Sequence, residues 1–132
     1  MLSRIAEKQL RTRGATGPHV SYSHSGRYGA AAVDANPIGI DVEVNREIAP
    51  RAAHLFLTDE EASVAAACRI ENALLHFWCA KEARWKQLGG AIATLKRVPL
   101  TLVDYDATGC SFDTVSTIVA ADAVLALTRP TS

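Results

Sequence analysis

The sequence predicts an α+β domain in which a mostly antiparallel sheet carries helices packed on one side. Three observations predict it. Runs with strand-like alternation stand at both ends of the chain, over 19–44 and 98–128. The stretch between them, 50–88, shows helical spacing with helix start and stop signals. Turn clusters rather than long crossovers separate successive strands, which favours antiparallel neighbours.

The elements follow in order. Leu2 to Arg13 places apolar residues at Leu2, Ile5, Ala6 and Leu10, a helical spacing that ends at Gly14, before the breaker pair Gly17-Pro18. His19 to Ser23 alternates as a strand, Ser23-His24-Ser25-Gly26-Arg27 interrupts it, and Tyr28 to Val33 returns as a second strand, giving a hairpin-like corner. Asp34-Ala35-Asn36-Pro37 is a turn cluster, and Ile38 to Val44 forms a third strand. Pro50 to Leu57 reads as helical, and Thr58-Asp59-Glu60-Glu61 has the form of a capping box opening a helix toward Arg69. The longest helix runs from Asn72 to Leu88 and closes at Gly89-Gly90. Strands are expected over Val98–Tyr105, Ser111–Val119 and Val124–Thr128, with a turn at Asp106-Ala107-Thr108-Gly109. There is no internal repeat and no low-complexity tract.

A chain of 132 residues suits one domain, 1–132, with a single modest core. Lys and Arg total 14 and Asp and Glu total 14, so net charge calls for neither nucleic acid nor an anionic membrane as partner. The charged, amphipathic N-terminus has no signal-like apolar run and no segment is long enough to span a bilayer, so a cytoplasmic protein is expected. The three cysteines, Cys68, Cys79 and Cys110, are far apart and form no CxxC pair. They read as reduced thiols rather than as a disulfide framework or a zinc site.

Two acidic segments carry the chemistry. In Gly39-Ile40-Asp41-Val42-Glu43, residues two apart share a strand face, so Asp41 and Glu43 point one way and Ile40, Val42 and Val44 are expected to point to the core. Gly39 suits a close approach to the backbone there. Taken alone, such a pair is more often a solvated face. In the long helix, Trp78, Glu82 and Lys86 fall at i, i+4 and i+8 on one stripe, with Glu82 and Lys86 within pairing distance. Leu74, Leu75, Phe77, Trp78, Trp85 and Leu88 make that helix apolar on most sides, so Glu82 needs a partner, and a cation supplies one. Magnesium prefers a few carboxylates completed by waters and phosphate oxygens, which fits Asp41, Glu43 and Glu82 as metal ligands, with Lys86 left to meet an anion. No histidine or cysteine cluster offers a softer zinc or iron alternative.

These segments resemble the 4′-phosphopantetheinyl transferases, especially the surfactin-synthetase-activating type. The resemblance rests on Ser21-Tyr22-Ser23-His24-Ser25, Gly39-Ile40-Asp41-Val42-Glu43 and Trp78-Cys79-Ala80-Lys81-Glu82-Ala83-Arg84-Trp85-Lys86, three motifs in the family's order. It covers Pro18 to the C-terminus. It implies a half-unit of that fold and transfer of the phosphopantetheine arm of coenzyme A to a serine of an acyl or peptidyl carrier protein, releasing adenosine 3′,5′-bisphosphate. It further implies that Asp41, Glu43 and Glu82 hold Mg²⁺ and that Glu82 deprotonates the carrier serine, directly or through water. Lys86 would stabilise the phosphates, while Ser23 and His24 would bind the 3′-phosphate side of the nucleotide. Glu82, Lys86 and His24 are thus the catalytic candidates.

The chain departs from the family's two-half architecture by carrying only the last strands of a first half. A homo-oligomer that shares sites is therefore expected; the alternative is that Lys8, Arg11 and Arg13 replace the lost phosphate contacts. Gly89-Gly90-Ala91 lacks the lysine the family often places in that turn. Carrier proteins present an acidic helix, making Arg46, Arg51, Arg69 and Arg84 candidates for the complementary surface. The rival readings are a non-catalytic module that binds coenzyme A or a carrier protein, and another metal-assisted enzyme acting on a different pyrophosphate.

Overall fold

The computed structural model describes residues 2–130. Its elements are α1 (Leu2–Thr12), β1 (His19–Ser25), β2 (Tyr28–Asp34), β3 (Ile40–Val44), a 3-10 turn at Pro50–Leu55, α2 (Asp59–Ala67), α3 (Ala73–Gln87), a second 3-10 turn at Leu95–Arg97, β4 (Leu102–Asp106), β5 (Gly109–Phe112), β6 (Val115–Ala120) and β7 (Ala123–Thr128). The order β3-β7-β6-β5-β4 forms one five-stranded sheet, antiparallel throughout, and β1 and β2 form a separate hairpin around Gly26-Arg27. The α+β architecture with helices on one side of an antiparallel sheet is the one expected.

One expected strand is two. The 111–119 run reverses at Asp113-Thr114, because Phe112 and Val115 are both buried against the helices and lie three residues apart, a spacing that no single strand of period two can satisfy. The helical run expected over Pro50–Leu57 is a 3-10 helix over Pro50–Leu55.

The helix ends follow local chemistry. Thr58 and Glu61 close a reciprocal capping box on α2, with Glu61 N–H donating to Thr58 Oγ1 at 3.2 Å and Thr58 N–H to Glu61 Oε1 at 2.8 Å. α3 ends in a Schellman arrangement, Gly90 N–H bonding to Trp85 O and Gly89 N–H to Lys86 O, with Gly89 at φ +73°, where a side chain would be strained.

The core lies between α3 and the sheet. Leu75, Phe77, Cys79, Ala80 and Ala83 of α3 meet Phe112, Val115, Val124 and Ala126, with Leu57 closing one end. Phe77 and Phe112 meet edge to face with centroids 5.0 Å apart, and each fully buried side chain of this size contributes about 1.5–3 kcal/mol.

Register decides where the acidic strand points. Asp41 pairs with Ala126 and Glu43 with Val124, so both carboxylates lie on the α3 side of the sheet. Ile40 and Val42 occupy the opposite face, where Ile40 joins Ile38, Ala30, Ala32 and Leu125 in a small second cluster under the hairpin; Val44 is half-buried. The expectation that the aliphatic residues of β3 face the main core is thereby reversed. α1 rests on the hairpin, where Tyr22 OH donates to Glu7, while Arg27 and Tyr28 reach Asp122 in the β6–β7 turn. No helix among the described residues is long and apolar enough to cross a membrane.

Candidate active site

Strand β3 is an edge strand, and its outward-directed N–H groups are answered by side chains. Ile40 N–H donates to Ser21 Oγ at 3.0 Å, Val42 N–H to Ser23 Oγ at 3.0 Å and Val44 N–H to Ser25 Oγ at 2.9 Å. Each pair is 19 residues apart, so β1 runs parallel to β3 and meets it through hydroxyls rather than backbone pairing. Three serines alternating on one strand face make this possible, and they cap an edge that would otherwise invite pairing with another chain.

The same hydroxyls hold the carboxylates. Ser23 Oγ donates to Asp41 Oδ1 at 3.1 Å, and Ser25 Oγ lies 3.5 Å from Glu43 Oε2. Ser23 is buried, and its hydroxyl is used twice inside the fold. His24 occupies the opposite, exposed face of β1 and makes no hydrogen bond or ion pair with the carboxylates.

Helix α3 supplies the other wall. Its stripe of Trp78, Glu82 and Lys86 runs antiparallel to β3: Trp78 Nε1–H donates to Glu43 Oε1 at 3.0 Å, and Lys86 Nζ reaches Asp41 Oδ1 at 3.3 Å. Lys86 also donates to Tyr22 O and Ile40 O, each at 2.9 Å. Three protons on the ammonium thus meet three acceptors, tying α3 to both β1 and β3. Helical spacing puts Lys86 within reach of Glu82, yet its one carboxylate partner among the described residues is Asp41.

The electrostatics are those of crowded acids short of positive charge. Asp41 is 5% exposed, and its Oδ2 is buried without a hydrogen-bond partner. Burial pushes Asp41 up to about 7; Lys86 opposes this, and Glu43 and Glu82 add to it. Glu82 is likewise raised, by burial first and by Glu43, against the pull of Lys86. The Cys79 thiol is driven far up by burial and by Asp41 and Glu43, which keeps it protonated beside the acids.

No three acidic, histidine or cysteine side chains among the described residues close into a ready-made metal cage. The donor set fits an open site instead. An orphaned buried carboxylate oxygen, two neighbouring acids and oxygen-only chemistry suit a hard divalent cation that takes most of its ligands from water and phosphate. Asp41, Glu43 and Glu82 are the residues that could hold it.

A family model described as the 4′-phosphopantetheinyl transferase superfamily matches residues 37–119, well over half of the chain. The chain belongs to that superfamily. The matched segment contains Asp41, Glu43, Glu82 and Lys86, while the serines of β1 lie outside it. The 4′-phosphopantetheinyl transferase Sfp of Bacillus subtilis is 36% identical over 78 residues, covering 57% of this chain and 35% of that protein. The chain therefore matches only about a third of the length of this curated relative.

Within this transferase fold the sequence reading passed over Lys81. It is fully buried, and Nζ donates to Glu61 Oε1 at 2.8 Å, Val98 O at 2.6 Å and Lys96 O at 3.3 Å. Burial lowers its pKa, and Glu61 pulls it back. Because Glu61 Oε1 also receives Thr58 N–H, one carboxylate caps α2 and anchors α3 together. A lysine on a helix apolar on most sides was the available signal, since buried ammonium groups need partners.

Proposed function

We propose that this chain transfers the 4′-phosphopantetheine arm of coenzyme A to a serine of an acyl or peptidyl carrier protein, with magnesium, releasing adenosine 3′,5′-bisphosphate. The observation that carries the reading is the unpartnered, buried Asp41 Oδ2 beside Glu43 and Glu82 on facing walls of β3 and α3. Asp41, Glu43 and Glu82 would hold Mg²⁺, which when bound supplies charge neutralisation and a template at the pyrophosphate.

The chain's own residues do the remaining work. The carrier serine oxygen forms a bond to the phosphorus that bears the pantetheine arm, and the bridging P–O bond to the nucleotide breaks. Glu82 takes the serine proton directly or through water, as a carboxylate placed within reach of the attacking hydroxyl can. Lys86 acts here mainly by position, fastening β1 and α3 to β3 while its charge stays beside the site. Exposed His24 remains the candidate of its segment for the 3′-phosphate, and Ser23 serves by aiming Asp41. Phosphoryl transfer asks a protein mostly for alignment and charge stabilisation, which such a rigid two-walled site can give. Arg46, Arg51 and Arg69, all exposed, would meet an acidic carrier helix, while Arg84 is half-buried and bonded to Gln87.

A second reading has an observation of its own. Because the chain matches only about a third of its relative's length, a module that holds coenzyme A or a carrier without modifying it is the alternative. A site completed by a second copy of this chain would reconcile that length with catalysis, and native mass measurement with and without coenzyme A tests it. Intact-mass spectrometry of an apo carrier protein incubated with the chain, coenzyme A and Mg²⁺ decides between the readings. Transfer adds the mass of the phosphopantetheine arm and stops on chelation; coenzyme A binding with an unmodified carrier establishes the module instead.

A further inference from the structure

Each acidic residue of β3 is gripped twice, once from β1 and once from α3. Asp41 is held by Ser23 and Lys86, and Glu43 by Ser25 and Trp78. We infer that Trp78 is a positioning residue for Glu43, fixing that carboxylate for cation binding while Ser25 steadies it from the other side; the inference rests on the proposed magnesium site.

Glu43 is half-buried, and an ungripped glutamate there would sample many rotamers, each of which must be given up when a ligand binds. The indole N–H is a donor only, and at 3.0 Å it fixes Oε1. Ser25 Oγ, 3.5 Å from Oε2, sits against the second oxygen. Trp78 is itself held. Phe56, buried in the core, meets its ring edge to face at 5.2 Å and 84°, and the Arg46 guanidinium lies 5.9 Å from the ring centroid. Rigidity thus passes from the core through Phe56 and Trp78 to a carboxylate at the edge of the sheet. The grip does not block ligation, since a carboxylate oxygen that accepts one hydrogen bond keeps a second acceptor direction. Oriented carboxylate ligands of this kind depend on their outer partners for affinity.

Two experiments on the full chain test the inference, with Mn²⁺ as the probe. Trp78→Phe keeps an aromatic ring against Phe56 and removes the indole donor. Calorimetric titration should show Mn²⁺ binding about tenfold more weakly, the scale expected for loss of an outer-shell partner, with the thermal midpoint nearly unchanged. In the unmutated chain the two indole N–H resonances report separately, since Trp78 Nε1–H is bonded to Glu43 Oε1 and Trp85 Nε1–H to Ile92 O. Diamagnetic Mg²⁺, used in place of Mn²⁺ for this readout, should shift the Trp78 resonance, whose acceptor is Glu43, more than that of Trp85. Unchanged Mn²⁺ affinity in a folded Trp78→Phe protein, or a Trp78 indole resonance that Mg²⁺ does not move, overturns the inference even where the unmutated chain modifies a carrier. Absence of carrier modification by the unmutated chain overturns the transferase reading and the inference with it.

Discussion

Gly39 lies directly beneath Ala83: a methyl group on its α-carbon would fall 1.8 Å from the Ala83 carbonyl oxygen and 2.8 Å from Gln87 N. The close approach that this glycine permits is that of helix α3 itself, and it sets the spacing between Asp41 on one wall and Glu82 and Lys86 on the other. Gly39→Ala should force the helix off the strand and cost about 3 kcal/mol or more, read as a lowered guanidinium midpoint. A variant as stable as the parent would show that the helix does not need this contact.

The serine ladder separates holding from binding. Ser21→Ala and Ser23→Ala each strip the acceptor from a buried β3 N–H, and each should cost about 1–3 kcal/mol in chemical denaturation. Only Ser23 also touches a carboxylate, so only Ser23→Ala should weaken Mg²⁺ or Mn²⁺ affinity. Equal metal affinity in the two variants would contradict the positioning role given to Ser23.

Lys81 should prove structural. Lys81→Ala leaves Glu61, the buried Val98 carbonyl and the part-buried Lys96 carbonyl without their donor, and breaking a buried pair from one side costs about 3–5 kcal/mol. The measurement is the thermal midpoint at fixed pH. A loss below about 1 kcal/mol would place the pair among weak surface bridges.

His76 should make stability fall in acid. Burial drives it down to about 4 from 6.5, its Nδ1 meets Thr117 Oγ1 at 2.6 Å, and Nε2 is buried without a partner. Between those two pH values the unfolded chain binds the proton that the native chain refuses, so stability rises with pH across that window and is level above it. The full effect is about 3 kcal/mol. Asp41, raised in the native state, slopes the other way over the same range. Subtracting the stability–pH curve of His76→Leu from that of the unmutated chain cancels Asp41. A flat difference would contradict the assignment.

Local chemistry made much of the fold readable: the capping box at Thr58 and Glu61, the glycine stop after α3, and the polar corner that becomes the β1–β2 turn are each written within a few residues. The slip of alternation between Phe112 and Val115 was readable too, but only by noting that two core residues stood three apart. The partners of Lys86 were hidden because Tyr22 O and Ile40 O belong to other elements 64 and 46 residues away, while helical spacing offered nearby Glu82. The face on which Asp41 and Glu43 lie was equally hidden, since period two fixes that they agree but pairing with Val124 and Ala126 fixes where they point. Family motifs identified the acids, and only packing revealed what grips them.

The most direct test follows apo carrier protein by intact mass in the presence of coenzyme A and graded Mg²⁺, comparing the unmutated chain with Asp41→Asn and Glu82→Gln. The account predicts metal-dependent gain of the phosphopantetheine mass with the unmutated chain, and none with either variant although both stay folded. Turnover at the unmutated rate in Asp41→Asn or Glu82→Gln would contradict it.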